Sequence, residues 1–344
     1  METTQPGSGA GVSTLTSTMT TSSRRTSLII LLTTLIVAYL LWSPGESVTD
    51  GRHDRGRNAV WLSHGWLGAD SWFERHDRDS AAFRDSMAVA RLAWQLQRHH
   101  VTDAYPHLAP TTAAGHLPPH DPLQTERFLD QTPDLRVLPW VGGVLGEHVF
   151  LGSPSWRRTF TADVARLLED HPRLAGIHLN VEPLPSGSDA YLALLEELRQ
   201  ALPPDKLLSV AAYPPPLIWQ PGLDVHWNRA YYPKVAHHAD QIVVMMYDTA
   251  LPLRKPYVSL VARWTADVLI WLPETDVLLG LPAYEDLALY HWPWAETLHS
   301  GLRGAHAGLE RFEQPPDSYQ GIAIYSHWTM SEPEWTLLDR HFVE

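Results

Sequence analysis

The sequence contains no cysteine among its 344 residues. This absence excludes disulfide bonds and thiolate metal sites, and it fits an oxidising compartment. Basic residues are few: 26 Lys and Arg stand against 39 Asp and Glu, which gives a formal net charge of -13. A surface that binds nucleic acid needs concentrated Lys and Arg to neutralise phosphates, so we expect no nucleic-acid partner.

Motifs for common cofactors and metals are missing as well. The chain has no G-x-G-x-x-G or G-x-x-x-x-G-K turn for phosphates and no H-E-x-x-H zinc motif. Histidine pairs occur at 99–100 and 237–238, but adjacent residues on a helix do not share a face. We therefore expect no cofactor and no metal. Tryptophan, by contrast, is plentiful, with 15 residues, and its flat rings suit the apolar faces of sugars or bases.

The first part of the chain has its own composition. Residues 1–26 are a polar leader, and residues 27–43 form an apolar segment without any charge. About seventeen residues at about 1.5 Å each span roughly 25 Å, which is enough for a bilayer. We predict a transmembrane signal anchor over 27–43, followed by a polar linker over 44–57.

Charges on either side of this segment predict its orientation. Arg24 and Arg25 precede it, and the acidic Glu46 and Asp50 follow it. Positive charge stays on the cytoplasmic side, so the remainder of the chain should lie outside. We expect a single-pass protein of the cell membrane; a cleaved signal peptide, and hence secretion, is the alternative.

From residue 58 to residue 344, short apolar runs alternate with segments of helical period. Parallel strands that are covered on both faces read as continuous apolar runs, as most of these do. Eight predicted strands with helices between them match a (β/α)8 TIM barrel, an α/β fold, better than an open doubly wound sheet. The predicted strands cover 59–66, 101–108, 136–143, 174–182, 206–214, 241–248, 276–284 and 321–328. Helices are predicted over 86–100, 159–171 and 188–202, the last capped by Ser188 or Asp189, with a final helix from Pro333.

Active sites of such barrels lie at the carboxyl ends of the strands. In "AGIHLNVEPLP", residues 175–185, the period of two sends His178, Asn180 and Glu182 to the same side. Aromatic and polar residues recur at or near the ends of the other strands, which is typical of a carbohydrate site. Besides the three above, the candidates are Trp61, Trp140, Tyr213, Tyr247, Asp248, Tyr284, Glu285 and Trp328.

The motifs "WVGG", "AGIHLNVE", "MMYD", "GLPAYE" and "IYSHW" follow one another in an order that resembles glycoside hydrolase family 18, the chitinase-like barrels. The resemblance covers residues 58–344. It implies that Glu182 is the general acid and that the substrate's own 2-acetamido group replaces the usual carboxylate nucleophile. It further implies that Tyr247 binds the acetamido oxygen, that Asp248 holds sugar groups, and that Trp328 forms the floor.

The chain departs from that family's pattern on several strands. Ala175, His178 and Asn180 stand where the family has three aspartates on the fourth strand. The Asn-x-Glu pair resembles family 85 endo-β-N-acetylglucosaminidases instead, and an amide accepts a hydrogen bond without supplying charge. His178 either contacts the substrate or hydrogen-bonds within the interior. Glu285 replaces a glycine, which suggests a reshaped pocket.

We therefore predict a glycoside hydrolase that acts outside the cytoplasm on glycans containing N-acetylhexosamine, with Glu182, Asn180 and Tyr247 as its catalytic residues. Two alternatives remain open. One is a weakly active barrel that serves as a glycan-binding module. The other is a hydrolase that pairs Glu182 with a second carboxylate, Asp248 or Glu285. The expected partners are an oligosaccharide or polysaccharide and the membrane. Sequence alone does not determine the oligomeric state.

Overall fold

A computed structural model describes residues 21–217 and 225–343. The chain divides into two compact units, Met1–Ser43 and Pro44–Glu344. In the first unit, helix α1 (Thr21–Leu41) covers most of the predicted anchor. Among the described residues, however, no helix is both long and apolar enough to cross a membrane. The transmembrane anchor predicted over 27–43 is therefore not supported there.

The second unit is built on one sheet of nine parallel strands. The strands are β1 (Asn58–Leu62), β2 (Val101–Pro106), β3 (Arg136–Val137), β4 (Trp140–Val144), β5 (Gly176–Glu182), β6 (Leu207–Ala212), β7 (Gln241–Met245), β8 (Asp276–Pro282) and β9 (Tyr319–Tyr325). Their order in the sheet is β3-β2-β1-β9-β8-β7-β6-β5-β4, so strands that follow one another from β4 to β9 lie side by side.

The short strands β3 and β4 are two parts of one extended segment, predicted as a single third strand over 136–143. On one side, Leu138 N donates to Ala104 O at 2.9 Å, next to strand β2. On the other side, β4 pairs with β5 from Trp140 to Val144. This segment thus joins the two ends of the sheet, and the α/β fold is consistent with the predicted (β/α)8 barrel.

Helices connect most of the strands. The predicted helices over 86–100, 159–171 and 188–202 are confirmed, and the third begins after Ser188, whose Oγ accepts from Tyr191 N at 3.2 Å. The helices are α2 (Asp70–Arg75), α3 (Ser86–Arg98), α4 (Pro122–Gln131), α5 (Pro154–Asp170), α6 (Asp189–Ala201), α7 (Tyr232–Ala236), α8 (Arg254–Trp271), α9 (Leu298–Leu309) and α10 (Glu332–Leu338). Sequence reasoning did not place α2, α4, α7, α8 or α9. Of these, α2 and α7 are too short to show a helical period, and α8 is buried around much of its surface.

Two separate sets of buried side chains support the sheet. A large apolar core fills the space between the strands and the surrounding helices. A smaller cluster includes Trp61, Tyr105 and Leu278. It is formed by strand residues whose side chains point to the face of the sheet opposite the helices. The buried Asp103 belongs to this inner region, where it pairs with Arg136 Nε at 2.7 Å and accepts from Gln241 Nε2 at 2.8 Å. Because these polar groups satisfy one another, Asp103 can be buried without loss of hydrogen bonds.

Residues 44–57, predicted as a linker, pack against the same unit. Arg303 Nε donates to Gly45 O at 3.2 Å, and Tyr319 OH donates to His53 O at 3.0 Å. Val48 is buried as well. The polar composition of this segment led to the prediction of a linker. The residues that it contacts lie far along the chain, so these contacts leave no signal in the local sequence.

Candidate active site

Glu182 is the last residue of β5, and its carboxylate is held by two neighbours. Asn180 Nδ2 donates to Glu182 Oε1 at 2.6 Å, and Tyr213 OH donates to Oε2 at 3.3 Å. Asn180 and Glu182 share a side of the strand because they are two residues apart. The structure therefore brings together three of the residues that the sequence singled out.

The surroundings of Glu182 favour its protonated form. Desolvation by the walls of the site raises the pKa of this carboxyl, and the negative charge of Asp248 raises it further. The hydrogen bonds from Asn180 and Tyr213 act in the opposite direction, yet the pKa remains above its usual range. A carboxyl whose pKa is raised keeps its proton to higher pH, and this suits it to general acid catalysis.

Asn180 is buried, and only one end of its amide is engaged within the described structure. The Nδ2 group donates to Glu182, whereas Oδ1 is buried and has no hydrogen-bond partner. An unpaired buried acceptor costs free energy until a donor reaches it. The amide is therefore arranged to accept a hydrogen bond from an N–H or O–H group beside Glu182.

Two cavities meet at Glu182. The first has a volume of about 280 Å³ and the second about 350 Å³. Glu182 contributes to the wall of both, so a chain that occupied both cavities would cross its carboxyl group. The first is lined by Glu182, Pro183, Tyr213, Pro214, Val225, His226, Met245, Tyr247, Asp248 and Tyr290. The second is lined by His64, Trp72, His107, Ala109, Pro110, Trp140, Gly143, Val144, His148, Asn180 and Glu182.

Tyr247 and Asp248 follow the end of β7 and line the first cavity. Tyr247 is largely buried and stacks on Tyr325, with ring centroids 5.5 Å apart. Asp248 has a backbone φ of 58°, in the left-handed region that Asp tolerates better than branched residues. Its Oδ1 accepts a 2.5 Å hydrogen bond from Tyr284 OH. Such backbone conformations are frequent at functional sites.

The family model for glycosyl hydrolases family 18 matches residues 21–290. The chain belongs to this family. It is accordingly a glycoside hydrolase, and the resemblance noted in the sequence motifs is confirmed at the level of the family. No curated protein matches the chain.

Solved structures of low sequence identity share the family 18 fold of this enzyme. The spore cortex-lytic enzyme SleL of Bacillus megaterium QM B1551 is 14% identical with a TM-score of 0.56, over 87% of this chain and 75% of that one. A chitinase from Chromobacterium violaceum ATCC 12472 is 16% identical with a TM-score of 0.55, over 83% and 98%. A fungal family 18 endo-β-N-acetylglucosaminidase is 17% identical with a TM-score of 0.54, over 82% and 95%.

The other predicted site residues of the family 18 enzyme differ in whether they line the two cavities. Trp140 lines the second cavity, where its ring lies 3.9 Å from that of His107. Tyr284 reaches the first cavity indirectly, through its hydrogen bond to Asp248. Glu285 is exposed and is not among the residues that line either cavity in the described part of the chain.

Three predicted substrate contacts are not among the residues that line either cavity in the described part of the chain. His178 is fully buried, stacks on Tyr105 at 4.0 Å, and bonds Ser209 Oγ through Nδ1 at 2.8 Å. Trp61 is also buried, with its ring 5.5 Å from that of His178. Trp328 is 45% exposed in a turn after β9 and meets Tyr325 edge-on at 5.7 Å. Of the two roles left open for His178, the structure favours internal hydrogen bonding.

Sequence reasoning missed several residues of the site. Tyr325 lies among the rings of Trp140, Tyr247 and Tyr284. His64 and Trp72 stack at 4.1 Å in the wall of the second cavity, on the first strand–helix connection. The tyrosine of "IYSHW" and His64 after the first strand were visible as strand-end residues, whereas only the fold brings Trp72 to the cavity.

Asp248, His291 and Glu296 also come together, with one polar atom of each within 4.8 Å of the others. A proton or a cation would balance the two carboxylates in this cluster. Burial lowers the pKa of His291, but its contacts with Asp248 and Glu296 outweigh burial and raise it to about 9. The raised pKa favours the protonated, cationic form of His291.

Proposed function

We propose that this family 18 enzyme hydrolyses glycans that contain N-acetylhexosamine, with retention of configuration and assistance from the substrate. The observation that carries the proposal is the pair of Glu182, a carboxyl with a raised pKa, and Asn180, a buried amide with a free acceptor. Their position where two cavities meet lets sugar units lie on both sides of the scissile bond.

The first chemical step breaks the glycosidic bond. The acetamido carbonyl oxygen of the bound sugar attacks its own anomeric carbon, and the bond to the leaving oxygen breaks as Glu182 transfers its proton to that oxygen. The product is an oxazolinium ion and a free hydroxyl on the departing sugar. In the second step Glu182, now a carboxylate, takes a proton from water, whose oxygen bonds to the anomeric carbon and reopens the ring.

Asn180 orients the acetamide in this scheme. Its Oδ1 accepts from the acetamide N–H, while its Nδ2 stays on Glu182 Oε1, so one side chain connects the acid to the reacting group. An amide supplies the hydrogen bond but no negative charge for the oxazolinium. Tyr247 completes the arrangement as a donor to the acetamido oxygen from the wall of the first cavity.

The names of structurally similar proteins support this substrate class. They include a chitinase, an endo-β-N-acetylglucosaminidase and a spore cortex-lytic enzyme. Asp248 lines the same cavity as Glu182, and this favours the two-carboxylate hydrolase as the second candidate. A retaining pair of that kind holds its carboxyl groups about 5 to 5.5 Å apart, with no role for an acetamide.

The first experiment compares the wild type with Glu182→Gln and Glu169→Gln. Glu169 is an exposed residue of α5 and serves as the matched control. On chitin oligosaccharides and peptidoglycan fragments, loss of the acid should reduce kcat at least about 100-fold, while the control keeps wild-type turnover. If Glu182→Gln turns over normally, the proposed acid is wrong; if the wild type binds glycans but releases no reducing ends, the enzyme assignment of this site fails.

A second experiment separates the two candidate mechanisms. A thiazoline analogue of the oxazolinium should bind at least about 100-fold tighter than a substrate fragment, because it mimics the intermediate. Equal turnover of substrates with and without the 2-acetamido group would favour the two-carboxylate mechanism instead. The comparison uses wild-type protein and needs no substitution.

We also propose that the enzyme works outside the cytoplasm. The support is the uncharged apolar run over 27–43 with Arg24 and Arg25 before it. Protease added to intact cells should digest the barrel. Digestion only after lysis would contradict this location.

A further inference from the structure

His291 and Glu296 lie beside Asp248 and are both fully buried. His291 Nδ1 is 3.4 Å from Asp248 Oδ1 and 3.7 Å from Glu296 Oε2. These are ion-pair distances rather than well-directed hydrogen bonds. Asp248 itself is 51% exposed toward solvent. A buried histidine thus connects a buried carboxylate to one that faces the first cavity.

The contacts of the imidazole ring determine where its protons are. Nε2 lies 3.2 Å from the carbonyl oxygen of Tyr284, which can only accept, so Nε2 carries a hydrogen. Nδ1 faces two carboxylates, which also accept when ionised. The ring stacks on Tyr284 at 4.0 Å with an interplanar angle of 26°. His291 therefore fits its surroundings as an imidazolium whose orientation is held by packing and by one hydrogen bond.

Glu296 is fixed by Thr249, the residue that follows Asp248. Thr249 Oγ1 donates to Glu296 Oε1 at 2.9 Å, and Thr249 N donates to the same oxygen at 3.1 Å. Asp248 receives the hydrogen bond from Tyr284 OH. The loop after β8 therefore holds Asp248 through Tyr284 and His291, and it holds the next residue through Glu296.

We propose that His291 and Glu296 are positioning residues, which hold Asp248 oriented toward the substrate in the first cavity. The inference rests on the proposed function, because it takes Asp248 as a residue that binds the glycan. Neither His291 nor Glu296 lines that cavity, so both act through Asp248. The imidazole of His291 and the hydrogen bond from Tyr284 restrict the rotation of the Asp248 side chain, and Glu296 keeps Thr249, the next residue, in place.

A double-mutant cycle tests the proposal. Glu296→Gln keeps the shape of the side chain and keeps an oxygen that accepts the hydrogen bonds from Thr249. Its amide N–H₂ group then faces His291 Nδ1. Nδ1 must accept a hydrogen bond from this amide, so it loses its own proton. We expect a tenfold rise in KM with kcat within about twofold, equal to about 1.4 kcal/mol of binding. In the Asp248→Asn background the same change should alter KM less than about twofold, since the connection is already broken. Glu313→Gln, at an exposed position, is the control.

A purely structural role gives a different pattern. It predicts that Glu296→Gln lowers the melting temperature and the activity equally in both backgrounds, and that additive result would overturn the proposal. A metal ion bound at the cluster would also overturn the proposal. In that case dialysis against a chelator would reproduce the effects of Glu296→Gln on KM, and added Zn²⁺ would reverse them. Wild-type KM and kcat should be unaffected by the chelator.

A measurement that does not depend on turnover keeps this inference distinct from the proposed function. Nitrogen-15 spectra of the full chain at pH 7.5 should contain one imidazolium ring that is lost in His291→Gln and becomes neutral in Glu296→Gln. A neutral His291 in the wild type would overturn the positioning role. An imidazolium in a protein that hydrolyses no glycan would leave the ion-pair arrangement intact and reject the proposed function.

Discussion

At the scale of single residues, the site depends on the different surroundings of two carboxyl groups near one cavity. Glu182 has its pKa raised by desolvation and by the charge of Asp248. Asp248 accepts a hydrogen bond from Tyr284 OH and has His291 Nδ1 at 3.4 Å. Glu182 is thus suited to donate a proton, whereas Asp248 is held in place beside it, which is a common division of roles between paired acids.

This division predicts how activity depends on pH. Glu182 must be protonated to donate, so kcat/KM should fall as pH rises through its raised pKa. Asp248→Asn removes a charge that raises this pKa, so the fall should begin at lower pH. Profiles of kcat/KM against pH measure the shift. The exposed Asp317→Asn is the control, and an unchanged profile in Asp248→Asn would show that the two groups are not coupled.

At the scale of elements, the close approach of β4 to β5 positions Asn180. Gly142 pairs with Asn180 in the register of these strands and has a φ of 117°. A Cβ at this position would lie 2.0 Å from the backbone oxygen of Asn180. Only glycine fits such a gap without moving the neighbouring strand. The first glycine of the "GG" in the third strand motif is therefore a packing requirement for Asn180, the residue proposed to orient the substrate.

We predict that Gly142→Ala destabilises the protein and displaces Asn180. The unfolding free energy should fall by about 2 kcal/mol or more, because the clash is with backbone and the φ is unfavourable for alanine. Urea titration followed by circular dichroism measures the loss. Gly152→Ala is the matched control, since no atom lies within 4 Å of its added Cβ. Equal stability of the two variants would contradict the close approach.

At the scale of the whole molecule, residues 44–57 belong to the folded unit although they precede the first strand. His100 Nδ1 lies 2.6 Å from Asp54 Oδ2, and Asn58 Nδ2 donates to Asp54 Oδ1 at 3.0 Å. Val48 and His53 are buried as well. This segment covers part of the barrel and connects it to the C-terminal turn through Val48 O, which lies 3.2 Å from His341 Nδ1.

Two shortened chains test the contribution of this segment. A chain that begins at Pro44 retains all of these contacts, whereas one that begins at Asn58 loses them. We expect the melting temperature of the shorter chain to be at least about 4 °C lower. In a domain of this size or somewhat smaller, a loss of about 1 kcal/mol in unfolding free energy lowers the melting temperature by about 2–4 °C. Differential scanning calorimetry measures the difference. Equal melting temperatures would show that residues 44–57 act only as a linker.

The sequence by itself determined the alternation of strands and helices and the pairing of Asn180 with Glu182. Both are local patterns: an apolar run bounded by polar residues, and a period of two along a strand. Tyr247 and Asp248 were predicted on the same basis, as residues after a strand in a barrel whose strand ends converge. Both line the first cavity, because backbone geometry gives the direction of each side chain.

Only the tertiary structure decided which candidates meet at the site. The side chains of His178 and Trp61 point into the barrel, as that of Asn180 does. They lie deeper in the barrel, however, and are closed off from the cavities. His291 and Glu296 reach Asp248 from the loop after the next strand, and Gly142 meets Asn180 across a strand pair. Depth along a strand and contacts between distant segments depend on the packing of the whole sheet, which leaves no periodic signal in the sequence.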